Sequence, residues 1–270
     1  MQQSAILITG ASSGIGAMVA RRAAREGWFA LVAGRDRARM QAVVDEARSS
    51  GGQAACLPVE LGQREAIARA ALEARRLCAD IGPIVGLVNG AGIAISAPLF
   101  SGGEGAGDLF EQHMSVNFHA ARLWIEALAP TMRAQGRGRI VNVASSAGLR
   151  GYAYTAAYCA SKHALLGYTR AAARELAGSG VSIAAVCPHF VDSPLTEASV
   201  QRLVNKTLKS AAEARQFFAQ QNPGGRLIST TEVADAIWSL IVGEENGTIL
   251  ELDGARVLRL EGPILEKAQK

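Results

Sequence analysis

The stretch 5-AILITGASSGIG-16 decides the fold of this chain. It starts as an apolar run of strand length, continues into a glycine-rich turn and leads into a helical pattern of small and apolar residues. Glycine allows a tight turn and a close approach of the backbone to a pyrophosphate, and the following helix directs its amino terminus at that charge. Gly10, Gly14 and Gly16 follow the spacing G-x-x-x-G-x-G instead of the standard G-x-G-x-x-G. Because this turn lies between a first strand and a helix, it predicts a dinucleotide site, with a purely structural turn as the alternative.

Apolar runs of strand length alternate with longer stretches of helical period along the rest of the chain. These runs are continuously apolar, which is typical of parallel strands with helices on both faces of the sheet. The alternation predicts βαβ units. We therefore predict an α/β fold: a single doubly wound Rossmann domain over residues 1–270, with a mostly seven-stranded parallel sheet. The predicted strands are 5–10, 29–34, 54–59, 84–90, 139–145, 181–188 and 248–254.

Two stretches interrupt this alternation. Residues 101–108, SGGEGAGD, are rich in glycine and predict a surface loop. Residues 193–226 insert a long helical excursion between the last two predicted strands, and such an insertion over the edge of a sheet is a natural lid for a ligand. The excursion contains apolar side chains such as Leu195, Leu203 and Phe217, which favour an apolar substrate over a sugar.

The composition narrows the possible functions. With 270 residues, 49% of them hydrophobic, the chain can form one large domain. No apolar run of 18 residues and no signal-peptide pattern appear, so we expect no membrane association. The four cysteines are widely spaced, which favours reduced thiols and a cytoplasmic location. The net charge of +4 forms no basic stripe and the histidines lack metal-ligand spacing, so we expect neither nucleic-acid binding nor a metal site.

The end of the second predicted strand indicates which dinucleotide would bind. An acidic residue there would bind a ribose 2′-hydroxyl, whereas a basic residue accommodates a 2′-phosphate. Here Gly34 stands where the acid would be and Arg35 follows it. Because arginine binds phosphate through paired hydrogen bonds, we predict NADP(H). In the alternative, Asp36 binds the ribose and Arg35 faces solvent, which leaves NAD(H) possible.

A second pattern, AYCASKHA at residues 157–164, places Tyr158 and Lys162 four residues apart. In a helix both side chains would lie on one face. A cation beside a tyrosine favours the phenolate and lowers the pKa of the phenol, which would make the pair an acid–base couple. Taken alone, the spacing more often arises by chance or marks a solvated helix surface than a catalytic pair.

Taken together, the motifs resemble the short-chain dehydrogenase/reductase family. TGASSGIG matches the family's glycine turn, and NGAG at 89–92 is similar to its N-N-A-G. Asn117 in SVNF falls at the position of the family's helix asparagine. RIVNVASSAG is similar to the strand that delivers a serine, which is Ser145 here, and Tyr158 and Lys162 follow at the family spacing.

The similarity runs from Ala5 to about Gly254, and besides Gly90, which replaces an asparagine or alanine in NGAG, three residues depart from the family pattern. CPHFVDS is similar to the family's P-G-x-V-x-T but has His189 for the glycine and Ser193 for the threonine. Glu60 stands where an aspartate is usual beside the adenine. We leave three roles open for His189: narrowing the nicotinamide pocket, contacting substrate, or a tolerated substitution.

The resemblance implies roles for four catalytic residues. Tyr158 would be the proton donor or acceptor, and Lys162 would favour its phenolate and reach the nicotinamide ribose. Ser145 would donate a hydrogen bond to the substrate oxygen, so Ser145 and Tyr158 would contact substrate. Asn117 would hold a water between Lys162 and solvent. The implied cofactor-binding residues are Gly10, Ser12, Ser13, Gly14, Ile15, Gly16, Arg35, Glu60, Leu61, Asn89, Ala91, Gly92, Tyr158, Lys162, Pro188, Val191 and Ser193.

The resemblance also implies a substrate and an assembly. The segment after Ser145 and the long lid are similar to those of reductases of 3-oxoacyl thioesters, including polyketide ketoreductases. Two alternatives stay open: a hydroxysteroid or xenobiotic carbonyl dehydrogenase that uses NAD(H), and a catalytically silent NADP-binding regulator. We expect a small-molecule substrate and a homodimer or homotetramer, because related enzymes pair through the helices that carry Asn117 and Tyr158.

Overall fold

The computed structural model describes residues 3–99 and 106–262. Its strands are β1 Ala5–Thr9, β2 Phe29–Gly34, β3 Gln53–Pro58, β4 Ile84–Asn89, β5 Gly138–Val143, β6 Val181–Pro188, β7 Ile249–Leu252 and β8 Val257–Glu261. Its α-helices are α1 Gly14–Arg25, α2 Arg37–Ser49, α3 Arg64–Leu77, α4 Ala106–Met114, α5 Ala120–Ala134, α6 Ala156–Leu176, α7 Pro194–Lys206, α8 Ala211–Gln220 and α9 Thr230–Val242. Each predicted strand is present, with ends shifted by at most two residues.

The strands form one sheet in the order β3-β2-β1-β4-β5-β6-β7-β8. The pairings from β3 to β7 are parallel, as the continuous apolar runs predicted. The antiparallel edge strand β8 adds to the seven strands that we predicted. It follows a tight turn in which the Asp253 carboxylate accepts hydrogen bonds from the N–H groups of Ala255 and Arg256. This Asp-Gly turn returns the chain onto β7.

Helices cover both faces of the sheet, so the doubly wound α/β prediction is confirmed. On one face, side chains of α1, α2 and α9 such as Val19, Val43 and Ile237 pack into a buried cluster. On the other face, α3 and α5 contribute Ile67 and Trp124 to a second cluster. Because both faces are covered, the inner strands are largely apolar, and their polar residues include Thr9, Asn89 and Asn142.

The strand order reverses between β1 and β4, which is where ligands bind in open α/β sheets. The glycine turn after β1 and the loop after β4 meet at this point. Gly10 has a φ of +68°, and a Cβ there would lie 2.7 Å from the Cα of Ala91. Only glycine allows these two segments to approach so closely.

The helical region after β4 contains a π-helical turn over Ser115–His119, between α4 and α5. Such turns occur often at functional sites, and this one carries Asn117. The sequence predicted a surface loop over 101–108; residues 101–105 lie outside the described residues, and residues 106–108 form the first turn of α4 instead.

The predicted excursion over 193–226 contains the two helices α7 and α8. Ser193 caps α7 by accepting a hydrogen bond from the Thr196 N–H, and Ser210 forms a capping box with Glu213 at the start of α8. The Arg202 guanidinium donates a hydrogen bond of 2.7 Å to the carbonyl oxygen of Ala94. This contact holds α7 against the loop that follows β4.

Candidate active site

Three predicted catalytic side chains meet at the carboxyl end of β5. Ser145 lies in the segment that follows this strand, and its Oγ accepts a hydrogen bond of 3.1 Å from the Ala147 N–H. The Tyr158 hydroxyl is hydrogen-bonded to the Ser145 side chain. Lys162 lies one turn later on α6, with its Nζ 5.8 Å from the centroid of the Tyr158 ring. The helix therefore presents Tyr158 and Lys162 on one face, towards Ser145.

Lys162 is buried, with 4% of its surface exposed, and desolvation lowers the pKa of its ammonium to about 8. Its Nζ donates a hydrogen bond of 2.8 Å to the carbonyl oxygen of Val143. Among the described residues this is its only hydrogen bond, so the three-donor ammonium keeps donors for a further partner. A Cβ added to Gly92 would lie 3.6 Å from Nζ and 3.3 Å from Asn117 Oδ1. The lysine Nζ thus lies close to Gly92 and Asn117, and its contact with a nicotinamide ribose stays a prediction.

The pKa of Tyr158 is shifted in the direction opposite to the one that the sequence predicted. We expected the neighbouring lysine to lower the pKa of the phenol, but burial raises the pKa of Tyr158 to about 12. The hydrogen bond with Ser145 lowers this pKa, although by less than burial raises it. The physical reason is that the hydroxyl is surrounded by protein while the Lys162 ammonium points at the Val143 carbonyl. In the protein alone, Tyr158 is therefore a protonated phenol at neutral pH.

The π-helical turn holds Asn117 rigidly beside this group. Its Oδ1 accepts a hydrogen bond of 2.8 Å from the Ile93 N–H, and its Nδ2 donates to the Ile93 carbonyl and to the Ser161 Oγ, each at 3.0 Å. Ser161, which the sequence analysis did not identify, lies on α6 directly before Lys162. Asn117 thus fixes the loop after β4 to the catalytic helix. Its contact with a water stays a prediction.

The glycine turn has the features of a phosphate site. Gly14 opens α1 with a φ of +55°, and a Cβ on Gly16 would lie 2.6 Å from the Gly10 carbonyl oxygen. Ser13 occupies the N-cap position but makes no side-chain hydrogen bond to the helix, and the first turn has no acidic residue. The first N–H groups of α1 are therefore available to an anion. Ser193 lies close by, because a Cβ on Gly14 would be 3.8 Å from its Cβ.

At the far end of the cleft, Arg35 is 72% exposed at its side chain and lies 3.9 Å from the Glu60 carboxylate. Asp36 is engaged elsewhere: its side chain caps α2 by accepting a hydrogen bond of 3.0 Å from the Arg39 N–H, and it pairs with the Arg39 guanidinium. This geometry leaves Arg35 free to meet a phosphate. The alternative in which Asp36 binds the ribose stays open.

Thr9, at the end of β1, was missed by the sequence analysis and shapes the loop after β4. Its Oγ1 accepts hydrogen bonds from the N–H groups of Gly90 (3.1 Å) and Ala91 (3.3 Å). Asn89, which we predicted to bind cofactor, is buried and donates a hydrogen bond to Asn142 on β5. A polar residue at the end of an apolar strand was the only sequence signal for Thr9.

The other predicted cofactor residues lie along the same edge of the sheet. Ser12 and Ile15 are partly buried in the turn after β1, and Leu61 is buried after β3. Pro188 ends β6, and Val191 pairs with Ile228 in an isolated bridge. These positions lie at the carboxyl ends of the strands, where a bound dinucleotide would extend.

His189, at the position of the family's glycine, is held in a buried polar cluster. Its Nε2 lies 2.7 Å from the Glu251 carboxylate, and Arg150 pairs with the same carboxylate oxygen. Glu251 lies on β7, next to Cys187 in the register of the sheet. His189 thus contacts Glu251 directly and is linked through it to Arg150, and no local sequence pattern indicated these contacts. Its Nδ1 has no hydrogen-bond partner among the described residues.

The chain is similar in sequence to known proteins. Residues 4–203 match the family model of short chain dehydrogenase. The chain is 33% identical over 216 residues to ketoacyl reductase HetN of Nostoc sp., covering 77% of this chain and 72% of that protein. It is 35% identical over 214 residues to 3beta-hydroxysteroid dehydrogenase of Mediterraneibacter gnavus, covering 78% of this chain and 74% of that protein.

A solved structure agrees in fold: actinorhodin polyketide ketoreductase with NADPH is similar at a TM-score of 0.86 and 28% identity, over 94% of this chain and 97% of that chain. The family match, the relatives and the assembled Ser145, Tyr158 and Lys162 lead to one assignment. The chain belongs to the short chain dehydrogenase family and is an NAD(P)-dependent oxidoreductase acting on alcohols and ketones.

Proposed function

We propose that the chain is an NADP(H)-dependent reductase of 3-oxoacyl thioesters or similar apolar ketones. The observation that carries the proposal is the meeting of Ser145, Tyr158 and Lys162 beside the cleft that begins at the glycine turn. Relatives named ketoacyl reductase and the likeness to actinorhodin polyketide ketoreductase support the substrate class.

The chain's own residues account for the proton chemistry. The residues of the glycine turn would hold an NADP(H), whose nicotinamide would supply the hydride for the carbonyl carbon. Ser145 donates a hydrogen bond to the carbonyl oxygen, where negative charge develops. Tyr158, kept protonated by a pKa of about 12, gives its proton to that oxygen, because an alkoxide is a much stronger base than a phenolate. In this proposal the Lys162 ammonium, whose Nζ lies 5.8 Å from the ring centroid, favours the phenolate by less than burial disfavours it.

The preference for NADP(H) is based on Arg35 and Asp36. Arg35 is exposed and has one weak ion pair at 3.9 Å, whereas Asp36 is held by the amino terminus of α2 and by Arg39. A guanidinium in this position can bind a 2′-phosphate through paired hydrogen bonds. The neighbouring Glu60 would then release Arg35 to the phosphate.

We infer that α7 and α8 form a lid over the substrate. The Arg202 hydrogen bond to Ala94 closes α7 onto the loop after β4. Leu195, Leu208 and Phe217 are exposed on this excursion, and they suit an acyl chain or another apolar substrate.

The second candidate is a hydroxysteroid dehydrogenase. It is favoured by the relative named 3beta-hydroxysteroid dehydrogenase, which has 35% identity to this chain over 214 residues. The same apolar lid residues would suit a steroid. A catalytically silent regulator has no use for the complete set of Asn117, Ser145, Tyr158 and Lys162, which makes it the weakest reading.

The test is NADPH oxidation with a panel of a 3-oxoacyl-CoA, the matching free acid, a 3-ketosteroid, a quinone and an aldehyde. We expect the highest kcat/KM with the thioester. The Tyr158→Phe variant, which keeps the ring, should bind NADPH normally and lose turnover by about 10²- to 10⁴-fold, the usual contribution of a general acid.

Each of the other outcomes selects a different function. Turnover of the steroid alone would favour the second candidate. Tight NADPH binding without turnover of any panel member would favour the regulator. Wild-type turnover in Tyr158→Phe would overturn the catalytic assignment.

A further inference from the structure

His113 is a buried histidine that neither the sequence motifs nor the proposed mechanism uses. It lies on α4, four residues before Asn117, and none of its surface is exposed. Its Nε2 accepts a hydrogen bond of 3.1 Å from the Ile95 N–H, and its Nδ1 lies 2.8 Å from the Leu109 carbonyl oxygen. A neutral imidazole with its proton on Nδ1 satisfies both contacts, since a ring nitrogen must be unprotonated to accept from an N–H.

The imidazole of His113 also packs against the catalytic tyrosine. The ring centroids of His113 and Tyr158 are 6.1 Å apart, and their planes meet at 70°, which is an edge-to-face contact. Lys162 lies near the Tyr158 ring as well, with Nζ 5.8 Å from the centroid. The orientation of the phenol thus depends on a histidine whose own orientation is set by two hydrogen bonds.

The Ile95 contact extends this support to the substrate side of the site. Ile95 belongs to residues 93–97, which we call the rim loop; it follows β4 and is in contact with the lid. Four hydrogen bonds from different parts of the chain anchor the backbone of this loop. They join Asn117 to Ile93, Arg202 to Ala94, His113 to Ile95 and the Tyr154 carbonyl to Ala97. Among the described residues, His113 is the only one of these four anchoring residues whose side-chain ring also contacts the Tyr158 ring.

We propose that His113 is a positioning residue that orients the Tyr158 phenol and the rim loop together. The inference rests on the proposed function of Tyr158 as proton donor. An apolar side chain could fill the same space, but it would leave the Ile95 N–H without an acceptor and the phenol ring without its fixed neighbour. Because proton transfer depends on placement to within about 1 Å, a small tilt of the ring lowers the rate.

Three substitutions separate the two contacts of His113. His113→Leu removes both the ring and the hydrogen bonds. His113→Gln keeps an acceptor for the Ile95 N–H and a donor, but lacks the ring. His113→Phe keeps the edge-to-face ring and lacks both hydrogen bonds. His163→Leu is the matched control, because His163 makes the same kind of bond to a carbonyl four residues earlier, at Cys159, but is exposed on α6.

We expect His113→Leu to lower kcat for ketone reduction by about ten- to a hundred-fold, while the Kd for NADPH and the melting temperature stay near those of the wild type. Hydrogen–deuterium exchange should become faster in the rim loop and stay unchanged in the β-strands. Glutamine should restore slow exchange in the rim loop but not kcat. Phenylalanine should restore part of kcat but not the slow exchange. His163→Leu should change none of these quantities.

Two results would overturn the proposal. One is wild-type kcat and wild-type rim-loop exchange in His113→Leu. The other is a parallel loss of melting temperature, NADPH affinity and kcat in all three variants, which would indicate a purely structural role. Hydrogen–deuterium exchange is measured without substrate, so it tests the effect of His113 on the rim loop even if the wild type reduces no ketone of the panel. Failure of the wild type to reduce any ketone would count against the proposed function, and therefore against a role of His113 in orienting a catalytic phenol.

Discussion

Burial shifts the pKa values of the two titrating side chains at the centre of the site. Desolvation penalises the charged form of each group, so it raises the pKa of Tyr158 to about 12 and lowers the pKa of Lys162 to about 8. Tyr158 is therefore ready to donate a proton at neutral pH. Lys162 keeps most of its charge at neutral pH, and in the proposed mechanism its effect on the phenolate is smaller than the opposing effect of burial.

The buried lysine predicts a pH-dependent difference in stability between the wild type and Lys162→Met. The pKa of Lys162 is lowered from 10.5 to about 8 in the folded protein, so the unfolded chain binds more protons between these values. The wild type should therefore gain stability relative to the variant as pH rises from 8 towards 10.5. The gain should be on the order of 3 kcal/mol.

Denaturant unfolding of both proteins between pH 7 and pH 10 measures this difference. The raised pKa of Tyr158 acts with the opposite sign, but only above its ordinary value of 10.0, so the chosen range isolates the lysine. A difference in unfolding free energy that does not change with pH would contradict the prediction.

At the other end of the cleft, we expect Arg35→Ser to weaken NADPH binding and to leave NADH binding nearly unchanged. The variant loses a charge-assisted hydrogen bond of about 1.5–3 kcal/mol, which corresponds to roughly ten- to hundred-fold in Kd. Asp36→Ser is the matched control, because serine can also cap α2. If Asp36→Ser weakened NADH binding while Arg35→Ser changed neither Kd, the ribose would be bound by Asp36 instead.

At the scale of elements, the site depends on turns that bring separate βα units into contact. Gly10 after β1 approaches the loop after β4, and the π-helical turn with Asn117 binds the same loop through Ile93. The lid begins at Ser193, against the glycine turn. The loop after β4 is therefore the junction of the cofactor cleft, the catalytic helix and the lid.

Gly10→Ala should disrupt this junction, and Gly27→Ala should not. Both glycines have a positive φ, +68° and +80°, so each alanine costs about 1–2 kcal/mol of backbone strain. A Cβ added at Gly10 would lie 2.7 Å from the Cα of Ala91 in another segment. A Cβ added at Gly27 would have no such neighbouring atom within 4 Å. NADPH titration should show a large loss of affinity in Gly10→Ala alone. Equal affinities in the two variants would argue against a role of the close approach.

At the scale of the whole molecule, the sheet has an edge that can pair. The edge strand β8 exposes Val257 and Leu260, and an exposed apolar edge strand is a site for pairing with another chain. Phe110 is exposed on α4, next to the helices that we expected in an interface. No helix in the described ranges 3–99 and 106–262 is long and apolar enough to cross a membrane.

We predict a homodimer or homotetramer, to be measured by sedimentation velocity at micromolar concentration. The double substitution Val257→Lys with Leu260→Lys should shift the protein to a smaller species if β8 contributes to the interface, because buried like charges repel across a symmetric contact. A wild-type monomer under these conditions would contradict the expected assembly.

Local patterns were enough to predict the seven parallel strands and the glycine turn, and the family resemblance identified Ser145, Tyr158 and Lys162 as site residues. Apolar runs and glycine spacing act within a few residues, so they can be read directly from the chain. The strand β8, the Glu251 partner of His189 and the His113 support of Tyr158 could not be predicted, because each arises from residues far apart in sequence. The same holds for the raised pKa of Tyr158, since desolvation depends on the protein atoms that the folded chain packs around the hydroxyl. The sequence alone thus indicated which groups we propose to carry the chemistry, and the tertiary structure decided their pKa values and their support.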